Sequence, residues 1–287
     1  MGDFGSDWLA LREPADHAAR AHALLDELPP RTDGPPTRIV DLGTGTGSNL
    51  RYLLPRLGPR QHWRLIDNDP ELLADLSPRL AAWAADAGLR TGVDADGLLL
   101  EGANVRASIT MQALDLAGDL DALRLREVDL VTCSALLDLF SVERLQALAD
   151  ALATARCSAL FALSYDGRVA WHPPLPFDER ATALLNAHQR RDKGLGGAAG
   201  PDAGEAVVAA LQARGYRVIS RQADWLLDTS GAALQGELID GWMQAAIEQE
   251  PSARDDITDW HRHRRRLIDT GTGTLRVGHL DLVAVPG

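Results

Sequence analysis

Apolar runs and helix-spaced apolar positions alternate along the chain between residues 37 and 164. Short apolar runs predict strands, and longer segments with apolar residues three and four positions apart predict amphipathic helices. The predicted strands are 37–42, 62–67, 107–114, 128–134 and 157–164, and the predicted helices are 48–57, 70–86, 118–124 and 142–155. This alternation predicts a parallel sheet with helices on both faces and a ligand site at the carboxyl ends of the strands.

Further elements flank the alternating region. They are an amino-terminal helix over 15–28, a small strand pair within 88–106, helices over 178–191 and 202–214, a strand at 216–220, two helices within 231–268 and a last strand at 275–285. The segment after residue 164 is polar and rich in proline, which predicts an irregular excursion. Together these patterns predict an α/β fold with a doubly wound, mostly parallel, seven-stranded sheet and helical cap insertions.

A glycine-rich loop follows the first predicted strand. It reads Asp41-Leu42-Gly43-Thr44-Gly45-Thr46-Gly47 and leads into the next predicted helix. Alternating glycines let a backbone turn sharply and approach a ligand closely, because they have no β-carbon. A dinucleotide-binding loop reads G-x-G-x-x-G, whereas here the third glycine comes one position early. The spacing therefore departs from the dinucleotide pattern, and an ordinary strand-to-helix turn is the alternative to a ligand-binding loop.

Polar residues also end each of the next three strands. Asp67 ends the second strand and lies 20 residues after the last glycine of the loop, close to the offset expected for a ribose-binding carboxylate. Asp115 and Ser134 end the third and fourth strands. Asp67 has the alternative role of a helix cap, but Asp69, directly before a proline, suits the cap better and leaves Asp67 free for a ligand.

The glycine loop and the polar strand ends resemble motif I and the following motifs of the class I S-adenosylmethionine (SAM)-dependent methyltransferases, best over residues 35 to 167. The resemblance implies that backbone amides of the loop reach the methionine end of SAM. It also implies that Asp67 binds the ribose and that Asp115 and the Leu116 amide bind adenine. The candidate cofactor-binding residues are Arg12, Asp41, Gly43, Thr44, Gly45, Gly47, Asp67, Asn68, Asp115, Leu116 and Ser134.

Arg12 belongs to an amino-terminal segment, residues 8–14, that we expect to close over the cofactor. Its expected partner is the methionine carboxylate of SAM. A surface salt bridge to an Asp or Glu is the alternative.

We expect the acceptor near the tips of the fourth and fifth strands. Methyl transfer is an in-line displacement, so the protein mainly aligns and desolvates the nucleophile, and a general base is optional. For a hydroxyl acceptor, the candidate bases are Asp138, Asp166, His172 and His188. A helix cap or a solvated polar residue is the alternative for each. The candidate catalytic residues are Asp138, Tyr165, Asp166, His188, Arg190 and Arg191.

A compact cationic cluster, Arg190, Arg191 and Lys193, closes a predicted helix and precedes a glycine-rich loop. We hypothesise that this loop folds over the transfer site and that one of the cations contacts an anionic acceptor. The alternative is structural, because cations favour a helix carboxyl terminus and glycine ends a helix.

The composition of the chain excludes several classes of binding partner. A formal net charge of −12 argues against nucleic acid as the main partner. Cys133 and Cys157 fit neither a metal-binding nor a disulfide pattern, and we expect no metal site. No apolar stretch is long enough to span a membrane, and no signal-peptide pattern begins the chain, so we expect a cytoplasmic protein. Its Ala-, Leu- and Arg-rich composition looks bacterial.

Together these expectations predict a single domain with added helical segments. It comprises an amino-terminal helical cap at 1–34, a SAM-binding core at 35–167, and the rest of the sheet with helical substrate-cap insertions at 168–287. The resemblance implies methyl transfer to a small-molecule acceptor, with oxygen and an anionic acceptor as first guesses. The alternatives are another SAM-using transferase and a SAM-binding sensor or complex subunit without catalysis. The oligomeric state is left open.

Overall fold

The computed structural model describes residues 5–30, 34–95, 97–192 and 196–287. Its strands are β1 Thr37–Leu42, β2 Arg60–Asp67, β3 Arg90–Asp94, β4 Gly97–Glu101, β5 Arg106–Ala113, β6 Leu130–Ser134, β7 Ser158–His172, β8 Tyr216–Gln222, β9 Trp225–Leu227 and β10 Thr274–Pro286. Its helices are α1 Ser6–Ala19, α2 Ser48–Leu53, α3 Pro70–Asp86, α4 Val142–Ala155, α5 Asp178–Gln189, α6 Ala203–Gln212, α7 Ala232–Gln249 and α8 Arg254–Asp269.

One sheet of ten strands runs through the described residues in the order β3-β4-β5-β2-β1-β6-β7-β10-β8, and β9 pairs with β10. β5, β2, β1, β6 and β7 are parallel neighbours, whereas β10 is antiparallel to both β7 and β8. The strand order reverses between β1 and β6, which is where doubly wound sheets bind ligands. The predicted fold class is confirmed, and β3, β4 and β9 add to the seven predicted strands.

Helices cover both faces of the sheet, as the alternation along β1 illustrates. Ile39 packs with the buried residues of α2 and α3, while its neighbour Val40 packs with those of α4 and α6. In α3, Leu76, Leu80 and Ala84 recur every four residues and are fully buried. Burying each of these leucines contributes about 1.5–3 kcal/mol. The hydrophobic pattern therefore attaches these helices to the sheet.

The amino-terminal helix lies earlier than the prediction of 15–28. α1 spans Ser6–Ala19 and contains Pro14, and a 3₁₀ helix at His22–Glu27 follows it. Proline normally interrupts a helix, but α1 is supported by packing of Trp8 and Leu11 against the cluster around β9 and α7. Tertiary contacts thus outweigh the local proline signal.

The fifth predicted strand continues well past its expected end at residue 164. β7 extends to His172 because β10 pairs with its second half, with Val277 opposite Val169 and Leu275 opposite Trp171. The polar residues of this half alternate with the apolar ones, as a strand with one exposed face requires. The predicted irregular excursion over these residues was wrong.

Other local predictions had mixed outcomes. The strand pair within 88–106 and the two helices within 231–268 are confirmed as β3–β4 and α7–α8. The helix predicted at 118–124 was wrong, because this segment forms a short 3₁₀ helix at Leu120–Leu123. Arg124, with a φ of 45°, ends it in the left-handed region.

His279 on β10 should make the free energy of unfolding depend on pH. Its side chain is buried beside Trp225 and donates from Nδ1 to the carbonyl of Val277 at 3.1 Å. Burial lowers the pKa of His279 from 6.5 to about 3, so the unfolded chain binds a proton before the folded chain does. The contribution of neutral His279 to the free energy of unfolding is therefore complete above pH 6.5 and is lost as the pH falls towards 3.

We therefore expect the unfolding free energy of the wild type, relative to His279→Gln, to fall by about 2 kcal/mol between pH 7 and pH 5. Urea unfolding of both proteins at each pH measures this difference. A difference that stays constant over this range would contradict the prediction.

Candidate functional site

A cavity of about 420 Å³ lies at the carboxyl ends of the central strands. The loop after β1, the ends of β2 and β6 and the loop after β5 form most of its wall, and α1 closes one side. Nine of the eleven predicted cofactor-binding residues line it: Arg12, Gly43, Thr44, Gly45, Asp67, Asn68, Asp115, Leu116 and Ser134. The structure thus brings together residues that are far apart in sequence.

The glycine loop depends on residues without a β-carbon. Gly43, Gly45 and Gly47 have φ values of 60°, 53° and 80°, which L-residues rarely adopt. A β-carbon on Gly43 would lie 3.0 Å from Leu136 Cδ1, and one on Gly47 would lie 2.9 Å from Leu76 Cδ1. Gly47 itself is not among the residues that line the cavity, so its position supports the turn.

Asp41 lies beneath the loop and does not line the cavity. Its carboxylate is fully buried and accepts hydrogen bonds from Thr44 Oγ1 at 2.8 Å and Asn49 Nδ2 at 2.7 Å. Burial raises the pKa of Asp41 to about 6, and the two hydrogen bonds oppose that rise. Asp41 therefore holds the loop from the core side.

The carboxylate of Asp67 lines the cavity and accepts two backbone hydrogen bonds, and its role in binding a ligand stays a prediction. Its Oδ2 accepts the Gly45 N–H at 2.8 Å and its Oδ1 accepts the Asp69 N–H at 3.0 Å. Asp69 is the cap of α3, as predicted, and accepts from the backbone amides of Glu71 and Leu72. Each Asp67 oxygen has a second lone pair, which leaves the carboxylate able to accept from a ligand as well.

The loop after β5 is held by a residue that the sequence reading missed. Arg144, at the start of α4, donates to the carbonyl oxygens of Leu116 and Gly118. Asp115 Oδ1 accepts the backbone N–H of Ala117 at 2.8 Å. Arg144 gives no local signal in the sequence, because it reaches this loop only after the sheet has formed.

Arg12 lines the cavity and forms an ion pair with Asp16, another residue that the sequence reading missed. Arg12 Nε lies 2.9 Å from Asp16 Oδ2, and the guanidinium stands 4.9 Å above the ring centre of Trp225. Trp225 Nε1 donates to Asp16 Oδ1 at 3.1 Å. The helical spacing of 12 and 16 is a signal for this pair.

Three further contacts fasten α1 and its carboxyl end to the glycine loop and α2. Glu13 forms an ion pair with Arg51, and Arg51 Nη1 donates to the Thr46 carbonyl at 2.6 Å. His17 Nε2 lies 3.1 Å from both the hydroxyl and the carbonyl oxygen of Ser48. Just past the helix, Arg20 Nη1 donates to Asn49 Oδ1 at 2.9 Å.

The predicted catalytic residues do not line the cavity. Tyr165 is buried and donates to Asn186 Oδ1 at 2.7 Å, while Asp138 lies between the lining residues Leu136 and Leu139. Three charged candidates form ion pairs: Asp166 with Arg168, Arg191 with Glu248, and Arg190 with Asp202. His188 Nε2 lies 3.1 Å from Glu248 Oε2. Lys193 lies outside the described residues. The catalytic roles stay predictions.

Two kinds of feature are absent from the described part of the chain. It contains no group of three or more His, Cys, Asp or Glu side chains that could hold a metal ion. No helix there is long and apolar enough to cross a membrane.

Several solved structures align with nearly the whole chain. A cyclopropane-fatty-acyl-phospholipid synthase-like protein from Lactobacillus casei aligns with a TM-score of 0.56 at 14% identity, covering 97% of this chain and 93% of that one. A mycolic acid cyclopropane synthase complexed with S-adenosylhomocysteine aligns with a TM-score of 0.46 at 12% identity, over 97% and 84% of the two chains. A geranyl diphosphate methyltransferase in complex with SAM aligns with a TM-score of 0.41 at 13% identity, over 98% and 91%.

No family model matches the sequence, and no curated protein matches it. At these identities the similarity to solved structures is one of fold. The chain has a Rossmann-like α/β fold, which it shares with the synthase-like protein from L. casei, and the fold that the resemblance implies is confirmed.

Alanine substitutions at two glycines should differ in their cost to stability. Gly43 and Gly88 both have positive φ, but a β-carbon on Gly88 would meet open space, whereas one on Gly43 would meet Leu136. We expect Gly88→Ala to cost about 1–2 kcal/mol from backbone strain alone. Gly43→Ala should cost more, because Leu136 must also move.

Urea unfolding of both variants, alone and in a Leu136→Ala background, measures the two contributions. The truncation should bring the cost of Gly43→Ala down to that of Gly88→Ala. Equal costs in the wild-type background would show that Leu136 plays no part.

Proposed function

We propose that this protein is a SAM-dependent methyltransferase that acts on a small-molecule acceptor. The observation that carries the proposal is the single cavity wall formed by the glycine loop, Asp67, Asp115 and Ser134. These residues lie at the ends of β1, β2 and β6 and just after β5, where a doubly wound sheet binds nucleotides. The fold shared with the synthase-like protein from L. casei agrees with this proposal.

Each part of the wall suits a different part of SAM. Backbone amides of the glycine loop and the guanidinium of Arg12 face the methionine end. Asp67, through its remaining lone pairs, accepts from the ribose hydroxyls. Asp115 accepts from the adenine amino group, and the Leu116 amide donates to the base. Asp41 supports the loop from below.

SAM supplies a methyl group on a sulfonium sulfur, so the carbon–sulfur bond breaks as the bond to the acceptor forms. The protein has to align the acceptor and exclude water. Apolar side chains are available for this: Leu9, Leu136, Leu139 and Phe140 all line the cavity. We propose that they enclose the reacting end of a small acceptor.

The residues beside the cavity suggest which acceptor groups could be methylated. For a hydroxyl acceptor, Asp138 is the candidate base, because it lies in the short turn Leu137–Leu139 beside the cavity wall. Arg190 and Arg191 remain candidate contacts for an anionic acceptor. They would first have to exchange their ion pairs with Asp202 and Glu248.

Calorimetric titration with SAM, S-adenosylhomocysteine and NAD tests the cofactor. We expect both sulfur nucleotides to bind and NAD not to bind. Asp67→Ala should weaken binding by about 1–3 kcal/mol, because it removes a polar partner of the ribose and of the Gly45 amide. Asp75→Ala is the control, since Asp75 is exposed on α3 and pairs with Arg79 outside the cavity.

Two results would count against this proposal. Absence of binding to both sulfur nucleotides would remove the cofactor from it. Tight binding without methyl transfer to any member of a metabolite pool would favour the SAM-binding sensor or subunit instead.

A further inference from the structure

β3 is the last strand at one edge of the sheet, and no strand of the described residues pairs with its outer side. Four of its five residues are exposed, and Val93 is 84% exposed. β3 pairs with β4 on its inner side, and the sheet of described residues ends there. A row of backbone N–H and C=O groups along the outer side is therefore available for pairing.

The register with β4 determines which residues direct their backbone outward. Asp94 lies opposite Gly97, with two residues between them, so this pair closes the hairpin and its backbone groups face inward. Pairing alternates along an antiparallel ladder. Gly92 and Arg90 therefore also face β4, while Thr91 and Val93 direct their N–H and C=O groups outward.

We propose that β3 pairs antiparallel with β3 of a second copy of this chain, about a twofold axis at Gly92. In this register Thr91 lies opposite Val93 of the partner subunit, and the symmetric pair repeats the arrangement. It is the register that uses both outward residues of each strand, and it makes four backbone hydrogen bonds. Thr and Val also suit cross-strand pairing, because both are β-branched.

The same register makes the charges of the two strands complementary. Arg90 lies across from Asp94 of the partner subunit, and the twofold axis creates this opposite-charge pair twice. Within its own chain the Asp94 carboxylate accepts from Ser108 Oγ and from the Gly97 N–H, so Arg90 pairs with lone pairs that these two bonds leave. The Arg90 side chain is 82% exposed. Its partner within the chain, Glu101, is also bound by Arg106, so Glu101 keeps a cation when Arg90 turns outward.

Gly92 occupies the position where the two backbones come closest. Directly opposite residues that share no hydrogen bonds lie about 4.5 Å apart between their Cα atoms, and glycine places no side chain there. A β-carbon on Gly92 would lie 3.8 Å from Leu99 Cδ2, which is an ordinary contact. A cysteine at this position is therefore compatible with the fold.

Disulfide cross-linking of Gly92→Cys tests the pairing directly. The two native cysteines, Cys133 and Cys157, are buried, so the new thiol is the accessible one. With oxidised glutathione at micromolar protein concentration, we expect Gly92→Cys to form a covalent dimer. Thr91→Cys is the matched control, because in this register it lies opposite Val93 and not opposite itself.

Sedimentation velocity across a concentration series tests the wild-type contact. We expect a dimer that dissociates on dilution and is absent in Val93→Pro, which removes an outward N–H donor. Arg90→Glu should raise the dimer dissociation constant about tenfold or more, because the reversal occurs twice in the dimer. Arg262→Glu, which reverses an exposed charge on α8, should leave the dissociation constant unchanged.

The proposal is overturned by a monomer at every concentration, by a dimer that withstands both Val93→Pro and Arg90→Glu, or by equal cross-linking of Gly92→Cys and Thr91→Cys. Thermal unfolding of each variant shows whether the hairpin is intact. If Val93→Pro fails to fold, the comparison of Arg90→Glu with Arg262→Glu decides the question.

Discussion

A buried chain of polar contacts beneath the glycine loop is the constraint on which the site depends. Asp41 accepts from Asn49, Asn49 accepts from Arg20, and Arg20 lies 3.4 Å from Asp281 on β10. All four side chains are buried. Removing one partner of a buried ion pair costs about 3–5 kcal/mol, because a charge is left uncompensated. The loop after β1, the chain segment after α1 and the last strand are therefore held as one unit.

Asp281 extends this unit to a strained part of the sheet. Its Oδ1 accepts the N–H of Leu163, which has a φ of 54°, and its Oδ2 accepts the N–H of Ala21. Leu163 lies at an irregularity in the β7–β10 pairing. A bulky residue in the left-handed region costs free energy, and the buried carboxylate helps to offset that cost. One acidic side chain thus joins the fold of β7 to the position of α1.

The wall contributed by α1 follows from these contacts. The helix contains Pro14 and so has a weak local tendency to form, yet the Glu13–Arg51 ion pair and the His17–Ser48 contact attach it to the loop and α2. Arg12 and Asp16 consequently face the cavity with their ion pair already formed. The shape of the cavity wall and the position of α1 therefore depend on the same interactions.

The residue pattern alone predicts the alternating strands and helices, the glycine loop and the polar strand ends, because these depend on neighbouring residues and on a regular hydrophobic period. The three-dimensional fold set the bounds of α1, the length of β7, the hydrogen bonds of Asp67 and the contacts of Arg144. It also decided that the predicted catalytic side chains, such as Tyr165 and His188, do not line the cavity. Each of these features depends on partners distant in the chain, whose proximity follows from strand order and which no local pattern encodes.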